Sequence, residues 1–341
     1  MNARIWWRGL KNLGAKALRY HISLSRMVHW AMGRLSLQTG RSQVLGQPRT
    51  LWIEATNACN LECSICPTGI GTLGRKKTLM TLALFREMVS DVRGSLFRVC
   101  FSGYGEPFIN PEIFDMLAHA HKTGVYSEVY SNLLLADDEK LRRMIEVKLD
   151  LLVVAIDLAP EGQNWRFVRG TDKDIAKVKE RLTRLAELKE ACGSKLPFVR
   201  ITYPVTKVNE SLLETARQFA KDVRADEFAA KTVNAVVAGR SPRDMKEKWV
   251  PKGEYDRYGR ARYGKGHCPW PYGGSLVYAN GDVSPCCYLA RGEVVLGNVF
   301  KDGGIRGVWN GRPYQDFRDR LVHNVKSIPV CAACVERFHP I

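Results

Sequence analysis

The chain has 341 residues, 45% apolar and 26% charged, which suits a globular protein with a real core and excludes disordered, collagen-like and low-complexity classes. Lys and Arg number 52 against 35 Asp and Glu, a net charge of +17, and there are ten cysteines. No stretch reaches the roughly 18 apolar residues of a membrane-spanning helix, and no apolar block with a small-residue cleavage site marks secretion. A cytoplasmic protein is expected, and there so many thiols point to metal or redox chemistry more than to disulfides.

Residues 1–49 carry nine Lys/Arg and no acid, which leaves +8 to the other 292 residues. Trp6, Leu10, Leu13, Ala17, Tyr20, Leu24 and Met27 recur at spacings of three and four, an apolar helical stripe with Arg8, Lys11, Arg19 and Arg26 mostly off it. Such a helix can dock its stripe on the main domain and solvate its charges. It can also lie in a membrane interface, giving peripheral membrane contact through residues 1–45, or approach a nucleic acid.

From residue 50 strands and helices alternate. Strands are predicted at 51–56, 96–101, 125–130, 149–156, 198–205 and 227–237, and helices at 80–92, 111–122, 137–147, 174–191 and 210–221. The almost wholly apolar run 149–156 suits a parallel strand covered on both faces. Six beta/alpha units argue for a parallel sheet, open or barrel-like, with its chemistry at the carboxyl ends of the strands. Residues 231–267 lose periodicity, with ten Lys/Arg against four Asp/Glu, and read as an exposed basic connector. Residues 268–341 are glycine-rich and hold five of the ten cysteines, with Asn280-Gly281 as a hairpin signal. Four segments are thus expected: a basic amphipathic arm (1–49), a beta/alpha domain (50–230), a connector (231–267) and a small cysteine domain (268–341).

Directly after the first strand comes Cys59-Asn-Leu-Glu-Cys63-Ser-Ile-Cys66. Three thiolates on one short loop can wrap an inorganic cluster, one ligand short of the four an iron–sulfur cube takes. An open coordination position has the logic of catalysis. A zinc knuckle would want a fourth nearby His or Cys, and residues 67–79 offer none.

This C-x3-C-x2-C run resembles the signature of radical S-adenosylmethionine (SAM) enzymes, although Ile65 stands where many members have an aromatic residue. Ser102-Gly103-Tyr104-Gly105-Glu106-Pro107, at the next strand's end, resembles the family's glycine-glycine-glutamate motif in G-x-G-E-P form. The resemblance implies a partial (β/α)6 TIM-like barrel over roughly 50–237. It implies a [4Fe–4S] cluster on Cys59, Cys63 and Cys66, and SAM bound near Gly103, Gly105 and Glu106. Ser131-Asn132 resembles the polar element that contacts the ribose, and Asp157 stands where relatives place a polar residue near SAM or substrate. The implied chemistry is reductive cleavage of SAM to a 5′-deoxyadenosyl radical that takes hydrogen from substrate, with a flavodoxin- or ferredoxin-type electron donor.

The later cysteines follow C-x12-Gly281-x4-Cys286, then 44 residues, then Cys331-x2-Cys334, with Cys268 first and Cys287 beside Cys286. Alone, this allows a four-cysteine zinc site. Behind the first motif it resembles the SPASM/twitch extension in its single-cluster form, which implies a second, auxiliary [4Fe–4S] cluster on Cys268, Cys286, Cys331 and Cys334. Cys286 is preferred to Cys287 because it meets the G-x4-C spacing. Cys100 and Cys192 read as ordinary thiols.

A fully ligated second cluster suits an electron acceptor, so the expectation is a radical SAM oxidoreductase that dehydrogenates a small hydroxylated or anionic metabolite. Radical SAM modification of a peptide, lipid or RNA is the alternative. Peptide modifiers often carry a leader-binding domain, for which the first 49 residues look short and uniformly basic. A non-catalytic zinc-binding adaptor for nucleic acid or membrane is the reading from another class, and nucleic acid is not the expected partner. Asp157, Arg166, Arg169, Arg200 and Tyr203 are candidate substrate contacts only by position near strand ends, with arginine suited to clamping an anion.

Overall fold

Nine strands form one sheet in the computed structural model, which describes residues 23–63, 66–158, 172–232, 247, 249–251, 253–255, 268–289, 291–332 and 334. A helix, α1 (Leu24–Gln38), precedes β1 (Thr50–Ile53). Then alternate α2 (Leu82–Asp91), β2 (Arg98–Phe101), α3 (Ile113–Lys122), β3 (Tyr126–Ser131), α4 (Asp138–Glu146), β4 (Leu151–Ala155), α5 (Asp172–Ala191), β5 (Phe198–Val205), α6 (Leu213–Asp222) and β6 (Glu227–Thr232). The six strands lie side by side in chain order, every pair parallel. Local chemistry marks the boundaries: Thr81 caps α2 by accepting from the Leu84 N–H, and Asp137 caps α4 by accepting from Lys140.

Helices cover one face of this sheet. Leu51, Ile53, Val99, Phe101, Val129, Leu152, Val154, Ile201 and Tyr203 share a single core with Leu84, Phe85 and Met88 of α2, Leu117 of α3, Leu141 and Met144 of α4, Leu182 of α5 and Phe219 of α6. Strands laid down in sequential order with their helices on one side are wound as in a barrel, whereas an open doubly wound sheet has helices on both faces. The opposite face carries Trp52, Cys100, Glu128, Tyr130, Val153 and Arg200, alternate residues of β1 to β5.

The cysteine-rich segment joins the same sheet. After a short helical turn, α7 (Trp270–Gly273), β7 (Gly274–Val277) pairs parallel with the free edge of β1, placing Leu51 opposite Ser275 and Trp52 opposite Leu276. β8 (Asp282–Ser284) and β9 (Gly297–Asn298) then run antiparallel. The expected hairpin is present, with Gly281 at φ +85 in its turn. α8 (Gly304–Trp309), α9 (Arg312–His323) and a last turn, α10 (Pro329–Ala332), follow.

Arg318 of α9 is fully buried and locks this end. It donates to the Pro271 carbonyl at 2.9 Å and the Ser42 carbonyl at 3.1 Å, and its guanidinium lies 4.0 Å from the Tyr314 ring centre and 4.4 Å from that of Trp309. Burial draws its pKa down to about 10, so it stays charged at neutral pH. Arg318→Met strands the buried Pro271 carbonyl and the half-buried Ser42 carbonyl and removes the ring contacts, so thermal melting should show a loss of about 2–4 kcal/mol.

Two expectations need correction. The amphipathic stripe falls mostly on residues 1–22, outside the described residues. Where it enters α1, Leu24 and Met27 are exposed rather than docked, and the buried side is Arg26, Gly33 and Ser36. Tyr203 is not a substrate contact: it faces the helices, and its hydroxyl donates to the Asn209 carbonyl at 2.8 Å. Arg166, Arg169 and most of the connector lie outside the described residues.

Candidate functional site

The carboxyl ends of β1, β2 and β3 are bound into one polar network. The loop leaving β1 is anchored first by Asn57, which donates to the Lys76 carbonyl and accepts from the Thr78 N–H, both at 2.8 Å. Thr56 adds a bond to the Thr78 carbonyl and accepts from the Ala58 N–H. Cys59, Cys63 and Cys66 follow, all half-buried and free of disulfides. The Leu61 N–H points at the Cys59 sulfur at 3.5 Å, and the Cys66 N–H donates to the Cys63 carbonyl. Gly69 lies flat against Cys63, where a Cβ would come within 2.4 Å of its backbone.

The G-x-G-E-P turn rests on the stem of that loop. The Glu106 N–H donates to the Ala58 carbonyl at 2.8 Å, and a Cβ on Gly105 would lie 2.1 Å from the Thr56 carbonyl oxygen. Glycine is therefore required at 105 by close backbone approach. At 103 a Cβ would meet Glu54 at an ordinary 3.5 Å. Gly105→Ala should cost about 1–3 kcal/mol and lower the iron retained on the adjacent loop, with Gly103→Ala far milder. Melting curves and iron content of the two variants check the contrast.

Glu106 is almost wholly buried, and its carboxylate accepts from the Ser131 hydroxyl at 2.7 Å, the Asn132 N–H at 2.9 Å and the Phe108 N–H at 3.2 Å. Asn132 in turn donates its side-chain amide to Asn60 Oδ1 at 2.9 Å, between the first two cysteines. Gly105, Glu106 and Asn132 thus meet the cysteine loop directly, and Ser131 reaches it through Glu106. Next to them Leu133 sits at φ +63, a strained setting for a branched side chain, held by bonds from the Leu133 N–H to Ser131 and from Arg181 to its carbonyl. Asp157 stands apart at the end of β4, accepting from Asn209 at 2.7 Å.

Two contacts unforeseen from sequence link this loop system to the C-terminal cysteines. Arg75 forms a bidentate pair with buried Glu54 at 2.8 and 2.5 Å and lies 4.2 Å over the Tyr278 ring, while the Ala279 N–H reaches Glu54 at 3.3 Å. Tyr104 packs with Leu73 and Cys66, and its hydroxyl donates to the Cys287 carbonyl at 3.4 Å. Burial, then Cys287, Cys286 and Cys66, hold the Tyr104 phenol well above its usual range. One side chain therefore spans from the neighbourhood of Cys66 to the backbone of Cys287.

Cys268, Cys286, Cys331 and Cys334 converge. The Cys268 thiol is pushed up by burial first and then by Cys286, Cys334 and Cys331. The half-buried Cys286 thiol is hydrogen-bonded to Cys287, while Cys287 packs toward Trp52, Leu276 and Tyr278. Among the described residues, no three Cys, His, Asp or Glu side chains crowd around one point as the ligands of a single ion do.

The open face below the loops is charged. Arg98 reaches Glu128 at 3.3 Å, the Cys100 thiol donates to the same carboxylate at 3.2 Å, and Arg200 pairs with Glu227 at 2.7 Å. Cys100 is buried and Cys192 exposed, both in the ordinary settings of such thiols. Period-two placement of Arg98/Cys100 and Tyr126/Glu128/Tyr130 could have revealed this lining.

Residues 53–220 match the family described as Radical SAM superfamily, and residues 268–335 the SPASM iron-sulfur cluster-binding domain. The chain belongs to the radical SAM superfamily. Its cofactors are accordingly SAM and a [4Fe–4S] cluster, with auxiliary iron–sulfur binding in the SPASM segment. A tungsten-containing aldehyde ferredoxin oxidoreductase cofactor-modifying protein of Pyrococcus furiosus is 30% identical over 170 residues, 49% of this chain and 47% of that protein. The PqqA peptide cyclase of Ruegeria pomeroyi is 23% identical over 309 residues, covering 82% of this chain and 79% of that one. A further PqqA peptide cyclase, from Bradyrhizobium diazoefficiens, matches over only 33% of its length, so the match spans half or less of two of these relatives. Among solved structures, Streptococcus suis SuiB bound to precursor peptide SuiA superposes with TM-score 0.60 at 15% identity, over 84% of this chain and 70% of that one. BtrN in complex with AdoMet and 2-DOIA superposes at 0.53 and 15% identity, over 86% and 97%. These likenesses place the radical SAM partial barrel. No helix among the described residues is long and apolar enough to cross a membrane.

Proposed function

We propose that this radical SAM enzyme modifies a peptide, using one auxiliary cluster held by Cys268, Cys286, Cys331 and Cys334 as an electron acceptor. The observation that carries the mechanism is Tyr104, whose ring touches Cys66 on one side and whose hydroxyl bonds to Cys287 on the other. Three curated relatives are PqqA peptide cyclases, and solved neighbours hold precursor or cysteine-containing peptides, which supports peptide over the small hydroxylated metabolite first expected.

When bound on Cys59, Cys63 and Cys66, a [4Fe–4S] cluster supplies the electron that splits SAM and starts hydrogen abstraction. The chain's own residues set the geometry. Glu106 fixes Ser131 and Asn132, and Asn132 holds Asn60 in the cysteine loop. Gly105 lets the G-x-G-E-P backbone lie directly on that loop. The Glu54–Arg75 pair keeps the loop's return limb against Tyr278 and Ala279. Toward the amino ends of the strands, the Arg98–Glu128 and Arg200–Glu227 pairs tie neighbouring strands together.

The test uses reconstituted enzyme with SAM, dithionite and a cell extract separated into peptide and small-metabolite fractions. The peptide fraction should stimulate 5′-deoxyadenosine release, and protease treatment should abolish the stimulation. Stimulation that survives proteolysis and follows the small-metabolite fraction would restore metabolite dehydrogenation.

A further inference from the structure

α1 lies across the amino end of the barrel, opposite the cysteine loops. It crosses the turns that lead into β2, β3 and β7. Gly94 faces Ser25, the Gly124 carbonyl accepts from Arg26 at 2.8 Å, and Gly33 faces the Tyr272 carbonyl. With Arg26, Gly33 and Ser36 turned inward, Leu24, Met27, Val28, Met32 and Leu35 are left toward solvent, from 81% exposed at Leu24 to 38% at Met32. At 100° per residue these five share an arc of roughly 140°. A stripe that wide on the outer side of an already docked helix marks a contact surface.

Basic groups flank the stripe. A recess of about 830 Å3 beside the start of α1 is lined by Arg26, Arg93, His121 and Lys122, with Asp150 the acid among its described lining. The helix itself contains no acid, and residues 1–49 hold nine Lys/Arg and none.

We propose that this face docks on the surface of an anionic phospholipid bilayer, with the stripe entering the acyl boundary and the recess meeting lipid phosphates. Charge complementarity selects this occupant. A second copy of the chain would set two acid-free helices against each other, and nucleic acid would engage the charges while leaving the stripe in water. A bilayer satisfies both features, and pairing an apolar insertion with basic residues is what makes peripheral binding firm. Docked this way, the enzyme presents Cys59, Cys63 and Cys66 away from the bilayer, open to the aqueous phase.

Co-sedimentation of the reconstituted full chain with vesicles of phosphatidylcholine, with and without phosphatidylserine, tests the proposal. Binding should be at least about tenfold stronger on the anionic vesicles and should weaken with salt. Leu24/Val28/Leu35→Ser changes exposed side chains only. It should lose about tenfold in binding while keeping the wild-type melting temperature and iron content. Arg93/Lys122→Gln should lose the preference for phosphatidylserine. Wild-type protein left in the supernatant with both vesicles overturns the proposal. So does vesicle binding unchanged in the serine variant, a dimer that the serine variant dissolves without vesicle binding, or retention by RNA alone.

Discussion

Cys59/Cys63/Cys66→Ala should reduce iron from about eight to about four atoms per chain and abolish SAM cleavage altogether. The two cysteine systems are physically separate. The first three lie on the loop after β1, while Cys268, Cys286, Cys331 and Cys334 gather around α7, the end of β8 and the last turn. Losing the first set leaves four thiols for one cube, so the remaining iron should keep its absorbance and its labile sulfide. Cys286→Ala should cost the complementary four irons and Cys287→Ala few or none, because Cys286 meets the Gly281-x4-Cys spacing of the SPASM segment. About four irons in the wild type and none in the triple variant would remove the auxiliary cluster and its role as electron acceptor. Zinc in place of iron would overturn the chemistry.

Glu106→Gln should be almost as damaging, and for a reason that reaches beyond SAM binding. The carboxylate takes three donors in a buried setting, and the amide that replaces one oxygen turns a donor toward another. Facing the Asn132 N–H, that amide strands a buried polar contact at a cost of about 2–4 kcal/mol. The Asn132–Asn60 bond loosens next, and the cysteine loop with it. The protein without SAM should therefore melt several degrees lower, at about 2–4 °C per kcal/mol, and SAM should bind at least about tenfold more weakly. A carboxylate used only to hold the ligand would give the second effect without the first. Titration calorimetry beside a melting curve of the SAM-free protein separates the two.

The order of strands and helices was legible because each unit has a simple local signature. The run Leu151–Ala155 is apolar throughout, α4 is capped by its own Asp137, and the cysteine spacing is a short-range string. The links that make a site of these pieces leave no such trace. Tyr104 meets Cys287 across 183 positions, and Glu54 meets Ala279 across 225. Arg75 reads as one more surface charge until the fold sets it against Glu54. The lining of the open face was within reach, since Arg98, Glu128 and Arg200 break the apolar rule for a parallel strand at alternate positions. α1 misled because it is apolar on its exposed side and packs through arginine, glycine and serine.

The pairing of β7 with β1 shapes how the protein can be made. β1 is complete at Ile53, yet its second neighbour begins at Gly274. At about 5–20 residues per second, a ribosome needs roughly 10–40 s to deliver that partner. Through that interval Trp52 and the backbone edge of β1 stay uncovered, a template for mispairing with other nascent chains. The auxiliary segment thus also covers the first edge of the barrel sheet. Deleting it should yield an aggregating polypeptide with the backbone edge of β1 exposed.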